Sequence, residues 1–169
     1  MIREIALDTE TTGLRPEEGH RIVEMGCIEL VNHVPTGRTL HHYYDPERAM
    51  DPDATRVSGI TDEMLVGKPK FAELAGSFLD FIGDAPIVAH NASFDMGFIN
   101  AELKRAGFAP LLPERAIDTV MIARRKFPGA PASLDALCKR FNIDLSERTK
   151  HGALLDAELL AEVYIELVG

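Results

Sequence analysis

The chain is poor in the features that would tie it to a membrane, a zinc scaffold or the direct reading of a polyanion. Only two cysteines occur, Cys27 in an apolar strand-like run and Cys138 on the apolar face of a helix. Neither belongs to a CxxC or Cys/His cluster, so no structural zinc or disulfide framework is expected, and both read as core thiols in a reducing compartment. No apolar run approaches the roughly 18 residues of a membrane span. Arg3 and Glu4 interrupt the start where a signal peptide needs an unbroken apolar stretch. A soluble, cytoplasmic protein is expected. Internal repeats, linkers and low-complexity segments are missing too, which leaves a single compact domain over residues 1–169. A hydrophobic content of 46% is ample for its core. Basic residues are scarce: 18 Lys and Arg face 27 Asp and Glu, for a formal charge of −9. The absence of a basic stripe or recognition helix agrees with a protein that needs no sequence-specific nucleic-acid contacts.

What is present is a succession of strands followed by strands alternating with helices. Ile2–Leu7 reads as a buried strand ending at Asp8, with Thr9–Gly13 turning away. After a charged loop, Leu14–Arg21, two more strands are expected at Ile22–Val31 and Arg38–Tyr44, joined by a turn near Pro35-Thr36-Gly37. Asp45–Lys70 reads as irregular, with a short helix near Thr61–Leu65. Phe71, Leu74, Phe78 and Ile82 mark one face of a helix over 71–82 that Gly83 ends. Pro86–Ala89 is a short buried strand feeding a helix from about Phe94 to Ala106. The remainder gives a strand near Ala116–Ile117, helices over Thr119–Lys126 and Ser133–Phe141, and a last helix from about Gly152 to Leu167. A meander followed by alternation implies an α/β fold, a mixed central sheet with helices on both faces.

Three short segments carry chemistry. Asp8-Thr9-Glu10 places two carboxylates at i and i+2 along a strand end, on one side if the strand geometry persists. Adjacent carboxylates repel unless a cation joins them. His90-Asn91-Ala92-Ser93-Phe94-Asp95 leaves a buried strand and puts Asp95 in a helix's first turn; His90 reads as a satisfied core residue. His151-Gly152-Ala153-Leu154-Leu155-Asp156 lets His151 and Asp156 face one cleft if His151 precedes the helix. Each segment alone fits capping or surface chemistry. Together, four carboxylates and a histidine are what two-metal phosphodiester hydrolysis requires. Carboxylate oxygens suit two Mg²⁺ or Mn²⁺ ions, and an imidazole can take a proton from an attacking water near neutral pH.

These segments, with Thr11-Thr12-Gly13-Leu14 extending the first and Ser133-Leu134-Asp135-Ala136-Leu137-Cys138 connecting the others, resemble the DnaQ-like 3′→5′ exonucleases with four acids and a histidine. The resemblance spans nearly the whole chain. It implies a ribonuclease-H-like fold in which Asp8 bridges two metals, Glu10 and Asp156 complete one site, and Asp95 serves the other through water. It makes His151 the general base. It sets Thr11, Thr12 and Gly13 against the terminal nucleotide, with Asp53 and Ser58 approaching its sugar; the family's proofreading members carry His where this chain has Ser58.

The implied activity is release of nucleoside 5′-monophosphates from a single-stranded or frayed DNA 3′ end, as the proofreading subunit of a bacterial replicative polymerase. The implied partner is the polymerase catalytic subunit, to which the family's proofreading members are tethered by a C-terminal tail; these 169 residues stop just after the last helix, the tail being either trimmed or missing. Even with two divalent cations bound the domain would stay acidic, so it is expected to hold DNA weakly by itself and to rely on that partner.

Three rivals remain. A stand-alone exoribonuclease would use the same acids, since nothing in the motifs reads a 2′-hydroxyl. A phosphatase with Asp8 as nucleophile would want a Lys and a phosphate-binding loop that are not evident. A non-catalytic polymerase-binding scaffold would keep clustered carboxylates without using them. His41-His42-Tyr43-Tyr44 reads as ordinary strand. Arg124-Arg125-Lys126 fits a DNA-backbone contact or last-turn helix-dipole pairing equally well.

Overall fold

A computed structural model describes residues 1–149 and 151–169. Its centre is a five-stranded mixed sheet: β1 (Arg3–Thr11), β2 (Ile22–Val31), β3 (Val34–Tyr43), β4 (Ile87–Ala89) and β5 (Ala116–Asp118), in the order β3-β2-β1-β4-β5. The first three strands form the antiparallel meander; β4 and β5 add in parallel beside β1. Helices α1 (Pro52–Ser58), α2 (Asp62–Leu65), α3 (Phe71–Ile82), α4 (Ala92–Arg105), α5 (Thr119–Lys126), α6 (Leu134–Arg140) and α7 (Ala153–Val168) fill the connections.

Strand alternation divides the core into two layers. Ile5 and Leu7 pack under α3 and α4, with Phe71, Phe78, Phe98 and Ile99. Ala6, Ile28 and Val88 face the other way, against α5, α6 and α7. The α3 layer is anchored by an aromatic run in which Tyr44 meets Phe71 at 5.3 Å and Phe71 meets Phe78 at 6.3 Å between ring centroids. Truncating fully buried Phe78 to Ala removes a side chain whose loss costs about 3–5 kcal/mol. Helix α4 is tied to the sheet by charge as well. Glu102, 1% exposed, accepts a forked pair of hydrogen bonds from Arg21 and a third from the Ile22 amide. Both its oxygens thereby have charged or amide partners, the condition for burying a carboxylate without a large penalty.

Four local expectations are corrected. First, β1 continues through Asp8, Thr9 and Glu10 to Thr11, because its backbone keeps pairing with β2 as far as Thr11↔Ile22, across an irregularity between Glu10 and Thr11. Second, the β2–β3 turn is at Asn32-His33, not Pro35–Gly37. Both turn residues have positive φ (50° and 64°), as a two-residue hairpin of matching twist demands; the Pro35–Gly37 region instead holds the register shift of β3. Third, α1 forms within the stretch read as irregular, with Pro52 at its first turn and Gly59 closing it at φ 77°. Fourth, α4 starts at Ala92, two residues earlier than expected, after Asn91 in the left-handed region at φ 67°.

Candidate active site

Asp8 and Glu10 stand on the face of β1 that also carries Ala6, so both point toward the α7 layer at the carboxyl ends of the parallel strands β1 and β4. Ligand sites in α/β sheets form at such strand ends. Two helix starts close on the same point. Helix α4 presents Asp95, 3% exposed, whose Oδ1 accepts a 2.6 Å hydrogen bond from Thr9 Oγ1. Helix α7 presents Asp156, 4% exposed, with His151 just before it. Ligand atoms of Glu10, His151 and Asp156 all lie within 4.8 Å of one another. A cleft of about 220 Å³ is lined by all five residues, together with His90, Phe94 and Arg148. A larger concavity of about 490 Å³ between β3 and α3 brings no carboxylate cluster together, so size does not locate the chemistry.

The electrostatics of the cleft are those of crowded acids that the Arg148 guanidinium offsets only in part. Burial, then Asp95, Glu10 and Asp156, hold the Asp8 carboxyl well above the ordinary carboxylate range. Burial first and Asp156 second raise Glu10 to about 8, and burial raises Asp95 to about 7 against the lowering effect of Thr9. Asp8 Oδ2 is buried without a hydrogen-bond partner among the described residues. An orphaned acceptor among three other carboxylates fits a hard divalent cation: oxygen donors, excess negative charge and an unused lone pair are what Mg²⁺ and Mn²⁺ take.

Two side chains that sequence reasoning passed over complete the site. Glu24, 2% exposed and paired across the strands with Glu10, accepts a 3.0 Å hydrogen bond from the Ala153 amide with Oε1. Its Oε2 lies 2.6 Å from His41 Nε2. It therefore satisfies one of the free amides at the start of α7 and holds that helix against the sheet. An acid inside the apolar run 22–31, which holds Glu24 and Glu29, was the signal available. Arg148 forks onto Asp156, with Nε to Oδ1 at 2.7 Å and Nη2 to Oδ2 at 2.9 Å, and its Nη1 bonds Asp135. Asp135, an exposed helix residue by its sequence, thus touches the site through one intermediary. A basic residue three positions ahead of His151 was the signal for Arg148.

The remaining candidates stand outside the cleft walls. Thr11 Oγ1 donates to Gly13 O at 2.5 Å, and Thr12 Oγ1 meets His20 Nδ1 at 2.9 Å while accepting from the Arg21 amide. These hydroxyls shape the loop that follows β1. A Cβ on Gly13 would collide with the His20 ring at 2.2 Å. Asp53 is exposed and pairs with Arg56 at 2.7 Å. Ser58 turns its hydroxyl inward, donating to Ala54 O and accepting from the Ile60 amide. Helix α1 still meets the site's rim, because the His151 amide donates to Val57 O at 3.0 Å. His90, read as a core residue, is instead half-buried in the cleft wall, with its ring nitrogens satisfied by Thr119 Oγ1 and Ala132 O.

A mixed sheet of this order, with acids gathered from β1, α4 and α7 around an orphaned carboxylate oxygen, defines a metal-dependent nuclease of the ribonuclease-H-like class. The family model described as Exonuclease (RNase T) matches residues 5–164. DNA polymerase III subunit epsilon of Rickettsia felis is 57% identical over 171 residues, covering 99% of this chain and 75% of its own length. The subunit of the same name from Escherichia coli K12 is 49% identical over 179 residues, covering 99% and 72%. Among solved structures, exonuclease X in complex with 5′ overhanging duplex DNA superposes with a TM-score of 0.77 at 29% identity, covering 99% of this chain and 91% of that one. The nuclease domain of 3′hExo bound to rAMP gives 0.82 at 18% identity, covering 98% and 91%, a likeness of fold. The chain belongs to the exonuclease family, on the branch of the DNA polymerase III epsilon subunits.

Proposed function

We propose that the 169 residues form one exonuclease domain that proofreads for a bacterial replicative polymerase. It removes nucleotides from a single-stranded or frayed DNA 3′ end as nucleoside 5′-monophosphates. The observation that carries the reading is the buried, unpartnered Asp8 Oδ2 set among Glu10, Asp95 and Asp156, with His151 beside them. In this reading the four acids hold two Mg²⁺ or Mn²⁺ ions. Bound there, divalent cations supply Lewis-acid charge to the phosphoryl oxygens and make water more acidic.

The chain's own groups do the rest. Asp8 and Glu10, fixed on a strand of the sheet, orient the ions; Asp95 is steadied by Thr9; His151 takes the proton of the attacking water. Thr11, Thr12 and Gly13 shape the loop against which the terminal nucleotide rests, and Asp53 and Ser58 belong to the helix at the rim nearest its sugar. The acidic surface, −9 in formal charge, supports weak capture of DNA by this domain and affinity supplied by the polymerase catalytic subunit. No helix among the described residues is long and apolar enough to cross a membrane, and replication places such a subunit in the bacterial cytoplasm.

The test is hydrolysis of 5′-end-labelled single strands of DNA and RNA of equal length, with and without Mg²⁺. Shortening of DNA from its 3′ end, dependent on the cation and faster than that of RNA, is the expected result. Faster cleavage of RNA would favour the exoribonuclease reading, and no cleavage of either strand in Mg²⁺ would favour the scaffold.

A further inference from the structure

Every acid in the cleft was legible as a ligand, yet one of them already has a cation. Arg148 side-chain atoms are 8% exposed, and the guanidinium occupies both oxygens of Asp156 at 2.7 and 2.9 Å. No other Lys or Arg lines this cleft among the described residues. A fork of this kind takes one in-plane lone pair on each carboxylate oxygen and sets a full positive charge against the pair. Asp156 is also the acid whose oxygen lies within 4.8 Å of Glu10 and His151, so an ion shared by those groups would sit beside the guanidinium. Two positive charges a few ångströms apart beside carboxylates as buried as Asp156 repel strongly, so the fork and the ion compete. The third arm of the same guanidinium rests on Asp135, on α6, whose side chain is 52% exposed. Asp135 is thus a second seat, outside the cleft, that keeps hold of Arg148 if Asp156 is surrendered.

We propose that Arg148 is a built-in stand-in for the cation at Asp156, displaced toward Asp135 when a divalent ion enters. The arrangement rests on the reading of Asp156 as a metal ligand. In the metal-free protein the fork balances charge that would otherwise drive the start of α7 from β1. On loading, the same fork has to open. Because His151 follows Arg148 by three residues on one short segment, opening also frees the segment that carries the base. Arg148 is in this sense a positioning residue.

The proposal has a signature in metal affinity whose direction a plain buttress would not produce. Mn²⁺ binding, followed by calorimetry and by the paramagnetic signal of the free ion, is compared for the wild-type chain, Arg148→Gln, Asp135→Asn, the double variant and Asp156→Asn. Arg148→Gln should bind Mn²⁺ more tightly, by about tenfold for the loss of one charge-assisted competitor, and should melt at a lower temperature without metal. Asp135→Asn should bind more weakly, because the displaced guanidinium loses its second seat; in the Arg148→Gln background it should change nothing. Weaker or unchanged binding by Arg148→Gln would overturn the proposal, as would an Asp135→Asn effect that persists without Arg148. If Arg148→Gln does not fold, Arg148→Lys, which keeps the charge but loses the fork, should still bind more tightly than wild type, and failure to do so overturns the proposal. Asp156→Asn separates the premise: unchanged Mn²⁺ affinity there would remove Asp156 as a ligand, whereas lost affinity with an unresponsive Arg148→Gln would reject the stand-in alone.

Discussion

Gly26 on β2 and Leu154 on the first turn of α7 meet backbone to backbone: a Cβ on Gly26 would lie 2.6 Å from both the amide nitrogen and the Cα of Leu154. Gly26 is also the cross-strand partner of Asp8. The missing side chain therefore lets the helix that carries Asp156 come down onto the strand beside the central acid. With Glu24 receiving the Ala153 amide two residues away, the spacing between the acids of β1 and those of α7 is set by contact.

Gly26→Ala should accordingly destabilise the domain by about 1–3 kcal/mol, the usual cost of overpacking. It should slow hydrolysis by roughly 10²-fold, since displacement of reacting groups by about an ångström has that effect. Thermal melting and turnover check both. Gly76→Ala is the control: its new Cβ meets nothing within 4 Å on the exposed side of α3, and it should be neutral or stabilising by about 0.5–1 kcal/mol. Equal behaviour of the two variants would show that the close approach does not position the site.

Asp8→Ala separates stability from activity in the opposite sense. It removes a buried carboxylate with an unpartnered oxygen from a cluster of like charge, so the metal-free protein should melt at the same or a higher temperature. Hydrolysis should disappear. A kinetic defect below about tenfold, or roughly 1.4 kcal/mol of barrier, would contradict a ligand role.

Stability of the metal-free protein should fall as pH rises. Burial and neighbouring acids raise Asp95 to about 7 and Glu10 to about 8, from reference values of 3.8 and 4.5. Between those limits the folded chain keeps protons that the unfolded chain has released. The stabilisation is therefore complete below the unfolded values and lost as pH passes through the folded ones. Melting in a chelator should thus drop between about pH 5 and 8.5, and saturating Mg²⁺ should remove the drop, because metal binds the ionised carboxylates and expels their protons. A melting temperature that rises over this interval in chelator would contradict the electrostatics of the cleft.

His151 lies close enough to Glu10 and Asp156 to be a base or a ligand, and the two roles divide cleanly. As a base, its replacement by Ala should lower turnover by about 10²–10⁴-fold, flatten the rise in rate with imidazole deprotonation, and leave Mn²⁺ affinity nearly intact. A loss of affinity matching that of Asp156→Ala would make it a ligand.

Periodicity and the three acidic segments were enough to read the layered α/β fold, most helix positions, and the four acids and the histidine in the cleft wall. Such features are local: apolar spacing records which face is buried, and a carboxylate beside a core strand is visible by its own improbability. What the linear chain could not display are relationships made by packing. The extension of β1 through Glu10 depends on pairing with β2, and the hairpin turn at Asn32-His33 depends on positive φ that the more obvious Pro35–Gly37 segment obscured. Glu24 and Arg148 looked like ordinary charges because their partners, the Ala153 amide and the Asp156 carboxylate, become neighbours only when α7 docks. Composition and pattern determined which groups could hold a cation. Tertiary structure decided which of those groups meet and which protein charge balances them, because Coulomb and hydrogen-bond energies depend on distances that close only in the folded chain.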